Sequence, residues 1–172
     1  MSDAADPFAV LGLPARFDLT PAQIRRAYLA KAAATHPDAA GGAGGVDTAV
    51  LNGARETLEH PHARGEALLA LLGGPSAAQD KSLPPGFLQA VMATRMEAAE
   101  DLENGGPAAR ERWRAWAAGK RAEHEARVAA LFASGAEAAT AIRVELNAWK
   151  YVERLIEQLD PAYDGPGDAG AA

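Results

Sequence analysis

The reading of the chain turns on Thr35-His36-Pro37-Asp38 and what flanks it. From Thr20 to Ala34 the residues favour helix. Pro37 disfavours helical geometry at His36, so that helix is expected to stop at about Thr35. Gly41, Gly42, Gly44 and Gly45 follow, a loop composition, and helical periodicity resumes at Val46. A His, a rigid Pro and an Asp are thus presented on a loop between two helices. Three readings compete for the tripeptide. It can be a turn, since Pro and Asp are common turn residues. It can be a catalytic His–Asp pair, but the chain has no Cys, and no Ser or Lys nearby offers itself as the activated partner. It can be a recognition element, and its surroundings favour that reading.

The preceding helix has a clear start. Thr20 caps it, Pro21 occupies the first turn, and Gln23 stands three after the cap, as in a capping box. Ile24, Ala27 and Tyr28 share one face, while Arg25 and Arg26 point elsewhere. The run Gln23-Ile24-Arg25-Arg26-Ala27-Tyr28, then His36-Pro37-Asp38, then an amphipathic helix containing Asn52, resembles a J-domain. The resemblance implies that Arg25, Arg26, His36, Pro37 and Asp38 dock on a DnaK/HscA-type chaperone. The basic face is thin, because Ala32-Ala33-Ala34 and Ala39 stand where J-domains often carry Lys or Arg. Lys31 falls at a position that is usually apolar; its stem is expected along the core edge with the ammonium in water.

Composition sets the limits around this motif. The chain has 172 residues, 48% hydrophobic and 23% charged, enough for one domain or two small ones with real cores. Its wealth of Ala, Leu, Glu and Arg favours helix. A net charge of −6 argues against broad nucleic-acid binding, which leans on a basic field. Without Cys there is no disulfide frame and no thiolate metal site. Met1 to Ala5 lacks a signal-peptide pattern, and no apolar run approaches the ~20 residues of a membrane span, so a soluble cytoplasmic protein is expected.

Before the motif, Asp6-Pro7 opens a short helix carrying Phe8, Leu11 and Leu13, ended by Gly12 and Pro14. After it, a helix over 46–59 places Val46, Val50, Leu51, Ala54 and Leu58 at the helical period, and Pro61 breaks it. A further amphipathic stretch, His62 to Leu72, ends at Gly73-Gly74-Pro75. Leu51-Asn52-Gly53-Ala54, Thr57-Leu58, Pro61, Arg64 and Leu68-Leu69 lie where HscB-type J-proteins have a similar segment; the aromatic positions of that segment are Arg55 and Ala67 here. His60 and His62 flank Pro61 without an evident third metal ligand, and are expected to be loop residues.

Residues 75–83 have the composition of a linker, and Leu83-Pro84-Pro85-Gly86-Phe87-Leu88 opens a second unit, again similar to HscB. In the helix from Phe87 to Glu103, Phe87, Val91, Ala98 and Leu102 form one seam, while Leu88, Met92, Met96 and Ala99 form a separate face bordered by Glu100 and Glu103. The second face either packs within its own bundle or meets a partner, for which adaptable methionines are suited. The HscB resemblance implies the latter, with the iron–sulfur scaffold protein as partner. By position Leu88, Met92 and Glu100 match the family's contact types, and Gln89, Ala93 and Met96 depart from them. Asn104-Gly105-Gly106-Pro107 is a turn. The next helix, to about Phe132, carries Trp113 and Trp116 as core anchors. The last places Ile142, Leu146, Trp149 and Ile156 on one face and Val144, Ala148, Tyr151 and Leu155 on the other, Tyr151 standing where the family has an aromatic scaffold contact. The tail from 161 to 172 is expected to be disordered.

The expected protein is therefore all-α: a J-domain over 1–74, a linker over 75–83, and an antiparallel three-helix bundle of the HscB oligomerisation type over 84–160. No phosphate loop, metal cluster or catalytic carboxylate pair stands out, and no cofactor is expected. The resemblance implies a co-chaperone that stimulates the ATPase of a DnaK/HscA-type chaperone and delivers the iron–sulfur scaffold to it, the chemistry residing in the chaperone. The rival is a helical interaction or oligomerisation module whose His36-Pro37-Asp38 is only a turn, or a J-protein serving another client.

Overall fold

The structure is a computed structural model in which residues 5–35 and 47–159 are described. Its contacts divide the chain into two compact units, Met1–Gly74 and Pro75–Ala172.

In the first unit α1 (Pro7–Leu11) is capped by Asp6, whose side chain accepts from the Phe8 N–H at 2.9 Å, and is ended by Gly12 in the left-handed region at φ 69°. Phe8 and Leu11 are buried. So are Phe17 and Leu19, in the irregular stretch before α2, where no helical period exists to announce them. The α2 helix (Pro21–Thr35) begins with the expected box: Gln23 N–H donates to Thr20 Oγ1 at 3.3 Å, and Thr20 N–H donates back to Gln23 Oε1 at 2.8 Å. It is described as far as Thr35, and the stop expected from Pro37 lies outside the described residues. The fully buried Ile24 anchors its inner face.

The α3 helix (Thr48–Glu59) is capped by Asp47, which accepts from Ala49 N–H at 2.9 Å, and it buries Leu51, Ala54 and Leu58. Val50, expected in that core, is exposed instead, since Leu51, Ala54 and Leu58 already fill the face turned to α1 and α2. Pro61 ends α3 and at once starts α4 (Pro61–Leu71), being suited to a first helical position. His62 is consequently helical rather than in a loop, with Nε2 3.8 Å from Glu66. Arg64 is buried; its Nη1 donates to the Leu58 carbonyl at 2.7 Å and its guanidinium lies 5.0 Å from the Phe17 ring centroid. It satisfies one of the carbonyls that the end of α3 leaves without a helical partner.

The second unit is a three-helix bundle of α5 (Phe87–Asn104), α6 (Gly106–Ala133) and α7 (Ala139–Leu159), with a 3₁₀ turn at Ala136–Ala138 before α7. The segment ahead of α5 is tied to this unit: Asn147 Nδ2 donates to the carbonyls of Asp80 and Ser82, each at 3.0 Å. Ser82 hydrogen bonds, assisted by the charge of the buried Arg143, hold the Asp80 carboxyl below the usual carboxylate range. Ile142, Leu146, Trp149 and Ile156 are buried as expected. Ala148 and Leu155, read as part of an opposite outer face, are buried as well, and only Tyr151 of that face is exposed. The reason is that α7 packs on both α5 and α6, so a broad arc of its surface is covered rather than one stripe.

Polar side chains cement the α6–α7 pairing. Arg121 donates to both carboxylate oxygens of Glu153 at 2.6–2.9 Å, and Trp149 Nε1 donates to the same carboxylate at 2.9 Å. His124 is buried, stacks on Trp149 with ring centroids 6.0 Å apart, and meets Glu145 through Nδ1 at 2.6 Å. Trp113 and Trp116 are half-buried and pack edge to face at 5.3 Å.

Candidate partner-docking surfaces

Two surfaces collect the residues singled out from the sequence. The first is the outer side of α2. Its orientation is set across the hairpin with α3: Tyr28 O–H donates to Asn52 Oδ1 at 2.8 Å, and the Arg55 guanidinium lies 4.7 Å over the Tyr28 ring. With Ile24 inward and Tyr28 at this seam, Arg25 and Arg26 are exposed. Neither has an ion-pair partner among the described residues. Leu29, one turn on, is 55% exposed, a feature the sequence reading missed although its place five residues after the inward Ile24 turns it off that face. Lys31 is half-buried, its Cε near Gly12, in keeping with a stem laid along the core edge. His36, Pro37 and Asp38 follow directly after α2 and lie outside the described residues.

The second surface is on α5. Leu88, Met92, Met96 and Glu100 recur every fourth residue and so share a face. All four are exposed, the apolar three by 49%, 56% and 73%. This answers the choice left open by the sequence: the face does not pack inside its own bundle. The seam on the other side does, with Ala98 buried and Phe87, Val91 and Leu102 partly so. Tyr151 of α7 is 41% exposed and packs edge-on against Phe87 at 6.2 Å, which brings it to the start of α5. No larger stripe of α7 joins the patch, because Leu155 is in the core.

At the far end of α5, Arg112 clasps Asp101 with contacts of 2.7 and 2.8 Å, and Trp113 Nε1 adds a third at 3.0 Å. Arg112 foremost, with Trp113, holds the Asp101 carboxyl below its usual range. Among the described residues no group of three His, Cys, Asp or Glu side chains could hold a metal ion, and no helix is long and apolar enough to cross a membrane.

No protein-family model matches the chain, and no curated protein sequence does. Solved structures do match. The architecture is that of a J-domain followed by a three-helix bundle, the class of fold expected from the tripeptide and its helices. In particular it is the HscB fold. The crystal structure of human co-chaperone protein HscB is similar with a TM-score of 0.69 and 19% identity, over 94% of this chain and 83% of that one. The chaperone HscB from Vibrio cholerae gives a TM-score of 0.64 and 24% identity, over 91% of this chain and 96% of that one.

Proposed function

We propose that this chain is a J-protein co-chaperone, not an enzyme. It would stimulate the ATPase of a DnaK/HscA-type chaperone and bring the iron–sulfur scaffold protein to it. The observation that carries the reading is the likeness in fold to HscB chaperones across more than nine-tenths of the chain, with His36-Pro37-Asp38 directly after α2.

Each unit supplies one contact. Arg25 and Arg26 on the solvent side of α2 offer positive charge to an acidic chaperone surface, and His36, Pro37 and Asp38 engage the chaperone at the end of that helix. Leu88, Met92, Met96 and Tyr151 offer the scaffold an apolar face, with Glu100 at its edge. Exposed apolar surface rimmed by charge is the usual mark of a protein partner. ATP hydrolysis belongs to the chaperone; this chain contributes binding energy to the state that hydrolyses.

Steady-state ATPase of the cognate DnaK/HscA-type chaperone, with and without this protein and the scaffold, tests the reading. Stimulation by this protein, increased further by the scaffold, is expected. No stimulation would leave the helical interaction module as the better description.

A further inference from the structure

The chaperone surface proposed on α2 contains a side chain that charge does not account for. The helix carries no Asp or Glu, so nothing on its own element competes for Arg25 and Arg26. Both arginines are exposed, and neither has an ion-pair partner among the described residues. Leu29 follows them by four and three residues and is 55% exposed. Counted at ~100° per residue from the buried Ile24, Arg25 lies at about 100°, Leu29 at about 140° and Arg26 at about 200°. Leu29 thus projects between the two arginines, about 4.5–6 Å further along the helix axis. Ala33, next on this line at about 180°, is exposed as well.

The rotation of α2 is fixed. Ile24 is fully buried, Tyr28 is hydrogen-bonded to Asn52, and the Arg55 guanidinium lies over the Tyr28 ring. A partner that reaches both arginines therefore has to cover Leu29. An isolated exposed leucine is ordinary on a protein surface. One enclosed between the two cations of a docking face is carried into the contact with them. Carboxylates set opposite it would lose water without gaining a hydrogen-bond partner, which costs binding. An apolar seat opposite it gains from the surface that both sides remove from water.

We propose that Leu29 is a specificity-determining contact for the chaperone, seated on an apolar spot within an acidic docking face. This role rests on the co-chaperone reading and narrows the partner. The chaperone that fits presents carboxylates on both sides of an apolar seat; one presenting carboxylates alone fits poorly. Docking then has an ionic part that salt screens and an apolar part that salt leaves in place.

The test is the concentration of this protein, as the full chain, that gives half-maximal stimulation of the cognate DnaK/HscA-type ATPase, at about 50 mM and about 300 mM salt. Leu29→Ala should raise that concentration about fivefold at both salt levels and leave the maximal rate unchanged, because binding is lost and turnover is not. Leu29→Met, which keeps the apolar volume, should stay within about twofold of the wild type. Leu29→Lys separates the two accounts by sign. It keeps helix propensity and adds a third cation to the face. Docking by charge alone would be strengthened by it at low salt, whereas the apolar seat requires a loss of about tenfold. The position is exposed, so melting should be nearly unchanged in all three variants and unfolding does not explain a loss. Stimulation by the wild type that Leu29→Ala does not weaken, or that Leu29→Lys strengthens, overturns the Leu29 contact and leaves the co-chaperone reading standing. A loss confined to the maximal rate overturns it as a docking contact too. No stimulation by the wild type at either salt level overturns the co-chaperone reading and this contact with it.

Discussion

Glu145 is approached at 2.6 Å by both His124 and Arg127, on the same carboxylate oxygen. Burial acts to raise its pKa, and the hydrogen bonds from His124 and Arg127 outweigh that, so the carboxyl is held below its ordinary value. A depressed folded-state pKa gives stability that is complete above the ordinary glutamate value, near pH 4.3, and is lost as the pH falls below it. Melting curves should therefore show the second unit weakening as the pH drops below about 4.3. Glu145→Gln should flatten that dependence and cost about 1–3 kcal/mol at neutral pH. An unchanged pH slope in the variant would remove Glu145 from the account. Asp38 calls for a different experiment, because its proposed role is contact. Asp38→Asn should abolish chaperone stimulation at unchanged helix content, the loss of one charge-assisted contact costing about 1.5–3 kcal/mol of binding. Full stimulation by that variant would reduce the tripeptide to a turn.

Helices α5 and α7 show why one apolar face is left over and another is not. The α5 helix buries a single narrow seam, so Leu88, Met92 and Met96 remain in solvent. The α7 helix lies against both of its neighbours and buries Ala148 and Leu155 along with its main face. Serine at positions 88, 92 and 96 together should leave melting nearly unchanged, each exposed substitution costing within about 0.5 kcal/mol. Scaffold affinity should fall about tenfold or more if the proposed contact holds. Leu155→Ala should instead cost about 2–5 kcal/mol of stability. Comparable melting losses for the two variants would mean that the α5 face is a structural surface.

At the scale of the molecule, two units with separate cores carry two separable contacts under the proposed function. Arg25→Glu with Arg26→Glu should weaken chaperone stimulation while leaving scaffold affinity unchanged, and added salt should weaken the wild-type chaperone contact as well. ATPase assays paired with scaffold titrations read both quantities on one preparation. If charge reversal on α2 alters scaffold binding, or chaperone docking ignores salt, the division of labour between the units is wrong. Since each unit buries its own core, a single unfolding free energy does not describe the chain, and stability changes belong to the unit that carries the substitution.

Local chemistry was legible without coordinates. The Thr20–Gln23 box, the Asp6 cap with Pro7, and the stop at Pro61 are signals within a few residues, and the helices begin or end where they stand, whereas the start of α4 at Pro61 itself was not read from the sequence. The period of α5 likewise separated its inner seam from Leu88, Met92 and Met96, because 3.6 residues per turn fixes which side chains share a face. The tripeptide with its flanking helices pointed to a J-domain, and the segments Leu51 to Leu69 and Leu83 to Leu88 narrowed that to the HscB fold. Tertiary packing alone decided what each face meets. Phe17 and Leu19 joined the core from an irregular stretch, Val50 left it, and Leu155 entered it from a face read as outer. Arg64, His124 and Arg143 are buried although such residues are ordinarily exposed, since neighbouring helices supply carbonyls, carboxylates and rings that no local window contains. Helix periodicity is a property of successive residues; burial depends on which distant elements close over them.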